Sequence, residues 1–233
     1  MFCVGFSMSV IFTMSAVYAT VMNLSIFETS ILLVLITLAG AFFQWPIGSI
    51  SDNFDRRKII IACAFFAIIF AILSIFSSGL SLNNLFLEHM VKFNQLTTTT
   101  DKVRLFVFIT FLAGMVLPMF SLILALVNDY ISKDKFVAAG AGLNIIFGLG
   151  AITGPLICSL LMYNFGPNGF LIHLIIFLFP IVVFGLYRVS KREYEDNPES
   201  SFTPMPREIT PLGIELDPTT GADLSTPSSS EKK

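Results

Sequence analysis

Gly48-Ser49-Ile50-Ser51-Asp52-Asn53-Phe54-Asp55-Arg56-Arg57-Lys58 is the stretch that decides how this chain folds. Five of the seven residues from Asp52 to Lys58 are charged. An apolar run as long as a helix precedes it (Ile31–Ile47) and another follows (Ile59–Ile75). A charged link this short between two such runs is a tight turn at a membrane surface. Arg56, Arg57 and Lys58 place that turn in the cytoplasm, because cationic loops resist translocation. Asp52 lies beside them, where its charge can be paired instead of buried alone.

Composition agrees with a chain that lives in lipid. Of 233 residues, 55% are hydrophobic and 13% charged, with 25 Phe and a mean hydropathy of +0.80. A soluble domain carries about 25% charged residues. The net charge of −2 says little, since most acids sit in one polar tail. Cys3, Cys63 and Cys158 fall inside apolar runs, and an odd count there reads as small core residues, with no disulfide and no metal. No basic aromatic patch suggests nucleic acid. The chain has no Gly-x-x-x-x-Gly-Lys-Ser/Thr phosphate loop, so it does not itself hydrolyse ATP, and no cofactor is expected.

Six apolar runs, at about 2–22, 29–51, 57–78, 103–129, 136–163 and 170–188, each approach or exceed the ~20 residues a span needs. The first has no basic flank and no small-residue cleavage site, so it reads as a span and not as a signal peptide. Arg56, Arg57, Lys58, Lys133, Lys135, Arg188, Lys191 and Arg192 fall on one side, against Lys92, Lys102 and Arg104 on the other. That bias places both termini in the cytoplasm. Residues 78–102 form a longer external link, in which Leu82, Leu85, Phe86, Met90 and Phe93 recur at the spacing of a short surface helix. From Glu193 onward Pro, Ser, Thr and acids take over, so 193–233 reads as a disordered cytoplasmic tail after a transmembrane domain at 1–192.

Spans pack through small and polar residues, because lipid is as apolar as a protein core. At about 100° per residue, Ser30, Thr37, Ala41, Gln44, Gly48 and Ser51 share a stripe on the second span. Thr110, Gly114, Pro118, Ser121, Ala125 and Asn128 do so on the fourth, and Ala141, Asn144, Gly148, Ala151, Pro155 and Ser159 on the fifth. The first span has a looser set, Ser7, Met14 and Tyr18. The third has only an Ala64, Ala67, Ala71, Ser74 seam, and the sixth little beyond His173, Pro180 and Gly185. The order lining, lining, greasy therefore repeats.

Gly48, Asp52, Arg56, Arg57 and Lys58, with Ile50 for the usual Leu, resemble the cytoplasmic loop signature of the major facilitator superfamily (MFS). Asn53 and Asp55 depart from it, standing where Arg and Gly are common. The Ser-Asp-x-Phe-Asp-Arg-Arg form, Asn128-Asp129-Tyr130 and Gly148-Leu149-Gly150-Ala151-Ile152-Thr153-Gly154-Pro155 resemble the YcaD-like branch of bacterial transporters. The resemblance implies an all-α bundle of two inverted three-helix repeats, half of a twelve-helix transporter in the bacterial inner membrane. It also implies that the third helix of each repeat faces lipid. The partners it implies are the bilayer, a missing N-terminal six-helix half and a small-molecule substrate.

Within that frame, Gly48, Asp52, Arg56, Arg57, Lys58 and Asp129 form a candidate cytoplasmic latch, with Arg56 or Arg57 as the cation that pairs with the acids. Asp129 ends the fourth span, where the helix dipole disfavours a carboxylate unless a cation pairs with it. Gly150-x-x-x-Gly154-Pro155, with Gly114, Pro118 and Gly148, are candidates for close helix packing and bending. Tyr18, Gln44, Thr110, Ser121 and Asn144 are candidates for the substrate cavity, with helix–helix bonding as the other reading of the two amides. His173, about one turn inside the outer end, reads as interfacial, and Trp45 as part of an interfacial belt. No Asp, Glu, Lys or Arg lies mid-span, so a proton carrier would have to be His173 or lie in the absent half.

Secondary transport of a small solute is the leading function. A six-helix intramembrane serine protease, with Ser121 and His173 as a dyad, is the enzyme alternative; the chain lacks the Gly-x-Ser-Gly context for it. The remaining alternative is a non-transporting fragment or a half that pairs with itself. Met1-Phe2-Cys3 opens inside an apolar run, and a truncated sequence is the expected explanation.

Overall fold

The structure, a computed structural model, describes residues 1–77, 99–131 and 135–191. The surface helix expected within 78–102, the cations Lys92, Lys133 and Arg192, and the tail lie outside the described residues. Among those described there are seven helices and no strand. They are α1 (Phe2–Val21), α2 (Ile26–Asn53), α3 (Arg56–Ser77), α4 (Thr99–Val116), α5 (Met119–Asn128), α6 (Phe136–Phe165) and α7 (Asn168–Lys191).

Apolar surroundings force this outcome, since every backbone N–H and C=O in lipid must be satisfied within its own helix. The few hydroxyls follow the same rule. Ser7 Oγ donates to the Cys3 carbonyl at 3.0 Å, Thr13 Oγ1 to Ser9 at 2.7 Å and Ser74 Oγ to Phe70 at 2.8 Å. Such back-bonding lets a polar side chain sit in a span without an orphaned group. Six spans are long and apolar enough to cross a membrane, from 20 to 30 residues each. The fourth is α4 and α5 together, Thr100–Asn128. In sequence it reads as one span, with Pro118 a packing and bending candidate; a turn at Leu117–Pro118 divides it, at a residue with no N–H to give to the preceding turn.

The spans form a bundle. α1 packs chiefly on α6, α2 on α4, and α3 on both α7 and α4, while α7 also meets α6 and α1. Exchanging spans one, two and three for four, five and six maps the main seams onto one another, though α6 meets α7 more extensively than α2 meets α3. The first–fifth seam becomes the fourth–second seam, the third–fourth becomes the sixth–first, and the third–sixth is unchanged. Burial repeats with the same exchange: 61% for the first and fourth spans, 22% for the second and fifth, 33% and 39% for the third and sixth. Two three-helix repeats of opposite direction are therefore visible in packing as well as in order.

Within this chain the third helix of each repeat is partly covered by the other. α3 and α7 cover each other, so the second and fifth spans carry the barest faces. Their small and polar stripes are on show: Ser30, Thr37 and Ala41 on α2, and Asn144 and Ser159 on α6, are all exposed.

Candidate functional site

The hairpin between α2 and α3 is built from its own sequence. α2 stops at Asn53, and Phe54 is extended (φ −130°). Asp55 then starts α3, its Oδ1 accepting from the backbone N–H of Arg57 at 2.9 Å. An acidic side chain at this position satisfies an otherwise orphaned helix donor and suits the positive end of the dipole.

Two arginines follow, and they do different things. Arg56 turns inward. Its Nη1 donates to Asp129 Oδ1 at 2.7 Å and its Nη2 to Asp52 Oδ1 at 3.3 Å. One guanidinium thus joins the ends of the second, third and fourth spans. The Arg56 and Asp129 side chains are 3% and 4% exposed, whereas Asp52 is 32% exposed. The Arg56–Asp129 bond is accordingly the one that water screens least. Arg57 instead folds back on the residue that caps its own helix, with Nε 3.1 Å from Asp55 Oδ1 and Nη2 3.2 Å from Oδ2. The expected network held either arginine; the structure gives it Arg56 and sets Arg57 against Asp55, which the sequence reading had not used. Lys58 is exposed and Gly48 is buried in α2, one turn before Asp52.

A second polar tie crosses the same seam at mid-depth. Gln44 Nε2 on α2 donates to Ser121 Oγ on α5 at 3.1 Å. Around it side chains of each helix pack onto glycines of the other. A Cβ on Gly114 would sit 2.7 Å from the Phe43 ring, and one on Gly40 would strike Leu117. A third tie closes the far end, where Lys102 Nζ meets Glu28 Oε1 at 2.8 Å. The other carboxylate oxygen of Glu28 accepts from the Ser25 N–H at 2.8 Å, in a reciprocal cap of α2.

The symmetry-related seam, α1 against α6, relies on small residues. A Cβ on Gly150 would meet the Phe2 carbonyl, and one on Gly154 would lie 2.7 Å from Ser9 Oγ and 2.9 Å from the Phe6 carbonyl. Gly5 faces the Phe147 carbonyl in the same way. Gly148, in contrast, has nothing within 4 Å of where its Cβ would be. Pro155 continues this helix without ending it.

The remaining sequence candidates scatter. Asn144 is exposed on the bare face of α6. Thr110 Oγ1 is buried with no hydrogen-bond partner. Tyr18 is wholly buried and stacks on Phe170 at 4.8 Å, away from the exposed stripes. His173 is also wholly buried, between the rings of Phe6 and Phe177 at 6.0 and 4.7 Å, and not at an interface. Depth along a helix and burial are separate coordinates, and Phe6 of the neighbouring span closes over it. Neither ring nitrogen of His173 has a hydrogen-bond partner, so it makes no dyad with Ser121. A cleft of about 650 Å³ opens at the Arg56 end between α1, α3, α5 and α7. Its walls are apolar (Ile60, Ile123, Leu126, Ile181), with Arg57 and Arg188 at its edge.

Compared with known proteins, residues 1–219 match a family model described as Major Facilitator Superfamily. No curated protein and no solved structure matches the chain.

Proposed function

Because the chain belongs to the Major Facilitator Superfamily, whose members are membrane transporters of small solutes, we propose that it supplies the C-terminal six-helix half of a secondary transporter that works by alternating access. The observation that carries this reading is the Arg56 guanidinium, buried between Asp129 and Asp52 where three spans end. With the basic hairpin in the cytoplasm, this cluster holds the cytoplasmic ends closed. Opening inward separates Arg56 from Asp129 and lets water reach both. Removing one partner instead breaks a buried ion pair, at a cost of roughly 3–5 kcal/mol, and favours the open form.

The bare faces support the same reading. Asn144 on α6 and Thr37 on α2 point away from the bundle, and an exposed amide is costly in hydrocarbon. A second six-helix body covers such faces; the N-terminal half of the transporter is the cover proposed here. The Asn128-Asp129-Tyr130 and Gly150-x-x-x-Gly154-Pro155 segments place the chain, on this proposal, in the YcaD-like branch of the bacterial inner membrane.

Maleimide labelling of a Ser51→Cys variant tests the latch, since Ser51 is buried beside it. Adding Asp129→Asn is expected to speed labelling several-fold at unchanged membrane insertion; an unchanged rate refutes the latch. A second copy of this chain is the other cover the bare faces admit. Disulfide trapping of Asn144→Cys separates the two. A product with a co-expressed N-terminal half supports the transporter, whereas a product only between two copies of this chain supports self-pairing.

A further inference from the structure

We propose that the cleft at the Arg56 end binds one anionic phospholipid of the adjoining membrane leaflet, with an acyl chain between α1, α3, α5 and α7 and the phosphate on Arg188.

The cleft begins where two spans part. Phe6 and Phe177 stack at 4.2 Å and close α1 against α7 further in. Nearer the end, Phe2 and Cys3 on α1 and Pro180, Ile181 and Phe184 on α7 line a space of about 650 Å³ instead. That volume is within the range of sites that hold small molecules. Phe2 and Phe184 are exposed, so the apolar lining continues onto the outside of the bundle. None of its lining residues lies on α2 or α6, so a cover on those bare faces does not fill it.

Charge decides the occupant. The carboxylates described at this end are engaged, Asp52 and Asp129 by Arg56 and Asp55 by Arg57. Lys58, Lys135, Arg188 and Lys191 are exposed there, and among the described residues no carboxylate pairs with them. Ile181, Phe184 and Arg188 are three and four residues apart and share one face of α7. Arg188 thus lies about 10 Å further along the axis than Ile181. An alkyl chain laid against Ile60, Ile123, Leu126 and Ile181 therefore ends near a cation. The occupant that fits is apolar at one end and anionic at the other. Basic pockets between spans hold anionic headgroups in this way. The bilayer presents such molecules beside the cleft, with phosphate at the surface and chains below it. A dissolved anion has no chain for the walls, and a neutral lipid has no charge for Arg188.

Phe184→Trp in a Trp45→Phe background puts the chain's one indole on the cleft. The purified full chain in detergent micelles is titrated with phosphatidylglycerol, phosphatidylcholine and a fatty acid, each with brominated chains, because bromine quenches an indole on contact. Phosphatidylglycerol is expected to quench at a concentration about fivefold lower than phosphatidylcholine, the share of one basic side chain at an anionic surface. Arg188→Gln, at an exposed position, is expected to erase that difference. Narrowing the cleft by Ile181→Phe or Leu126→Phe, whichever folds, is expected to do the same. The thermal midpoint of the chain with its native Phe184 reads the same binding and decides alone if the indole variant does not fold. Phosphatidylglycerol is expected to raise it more than phosphatidylcholine does, and no longer to do so in Arg188→Gln. Equal effects of the two phospholipids, or a preference that survives Arg188→Gln, overturn the proposal. A preference that survives narrowing is attraction to the surface and overturns it as well. A stronger, Arg188-dependent effect of the fatty acid overturns the phospholipid as the source. A preference seen only after removal of residues 193–233 also overturns it, because the tail is then the occupant in the full chain.

Discussion

Arg56 and Arg57 are adjacent and identical in chemistry, yet their neighbours give them separate work. Arg56 reaches the carboxylate of another span, and its loss breaks an ion pair in which Asp129 is 4% exposed. Arg56→Gln is expected to lower unfolding free energy by roughly 3–5 kcal/mol, read by denaturant titration in detergent. Asp52→Asn removes the partner that water already screens, and is expected to cost at most about 1 kcal/mol. The sequence made the charges legible but not their pairing. Asp55 sits two residues before Arg57 and captures it locally, which no count of acids and bases along the chain can reveal. The Gln44–Ser121 bond was hidden for a similar reason: each residue was visible as a polar intruder, but their meeting depends on how two spans seventy-seven residues apart are set in register.

At the scale of elements, hydropathy alone located all six spans, because a continuous apolar run in lipid has no option except a helix. It did not show that the fourth is two helices. Proline is tolerated within spans, and the chain contains three that stay helical, at Pro46, Pro155 and Pro180. Only at Pro118 does the helix divide, against Gly40 and Gly114 on the seam with α2. The glycines of α6 divide just as clearly by what faces them. Gly150→Leu or Gly154→Val drives a side chain into the backbone of α1, and is expected to cost at least 1–3 kcal/mol, as overpacking does. Gly148→Ala opens onto free space and is expected to leave the thermal midpoint unchanged or slightly raised, since alanine favours the helix.

For the molecule as a whole, the exchange of repeats organises both packing and burial, and it fixes which faces remain bare. The distribution of cations predicts the orientation in the membrane. Alkaline phosphatase, which works only outside the cytoplasm, is expected to be inactive when fused after Lys58 and active when fused after Asn164. The opposite pattern inverts the topology. Sequence periodicity showed the polar stripes correctly but could not say what they face, since a stripe looks the same whether it meets a neighbour or awaits one.

The two seams related by that exchange are fastened differently. α1 and α6 meet backbone to backbone through glycine, so sliding one past the other means collision at every step. α2 and the fourth span are fastened at three heights by Glu28–Lys102, Gln44–Ser121 and the Arg56 cluster, each of which water or a solute can substitute. Mechanically the bundle is a rigid plank on one side and a row of buttons on the other. If the chain works by the proposed alternation, strain is expected to be released by unbuttoning from one end, with the plank turning as a single piece.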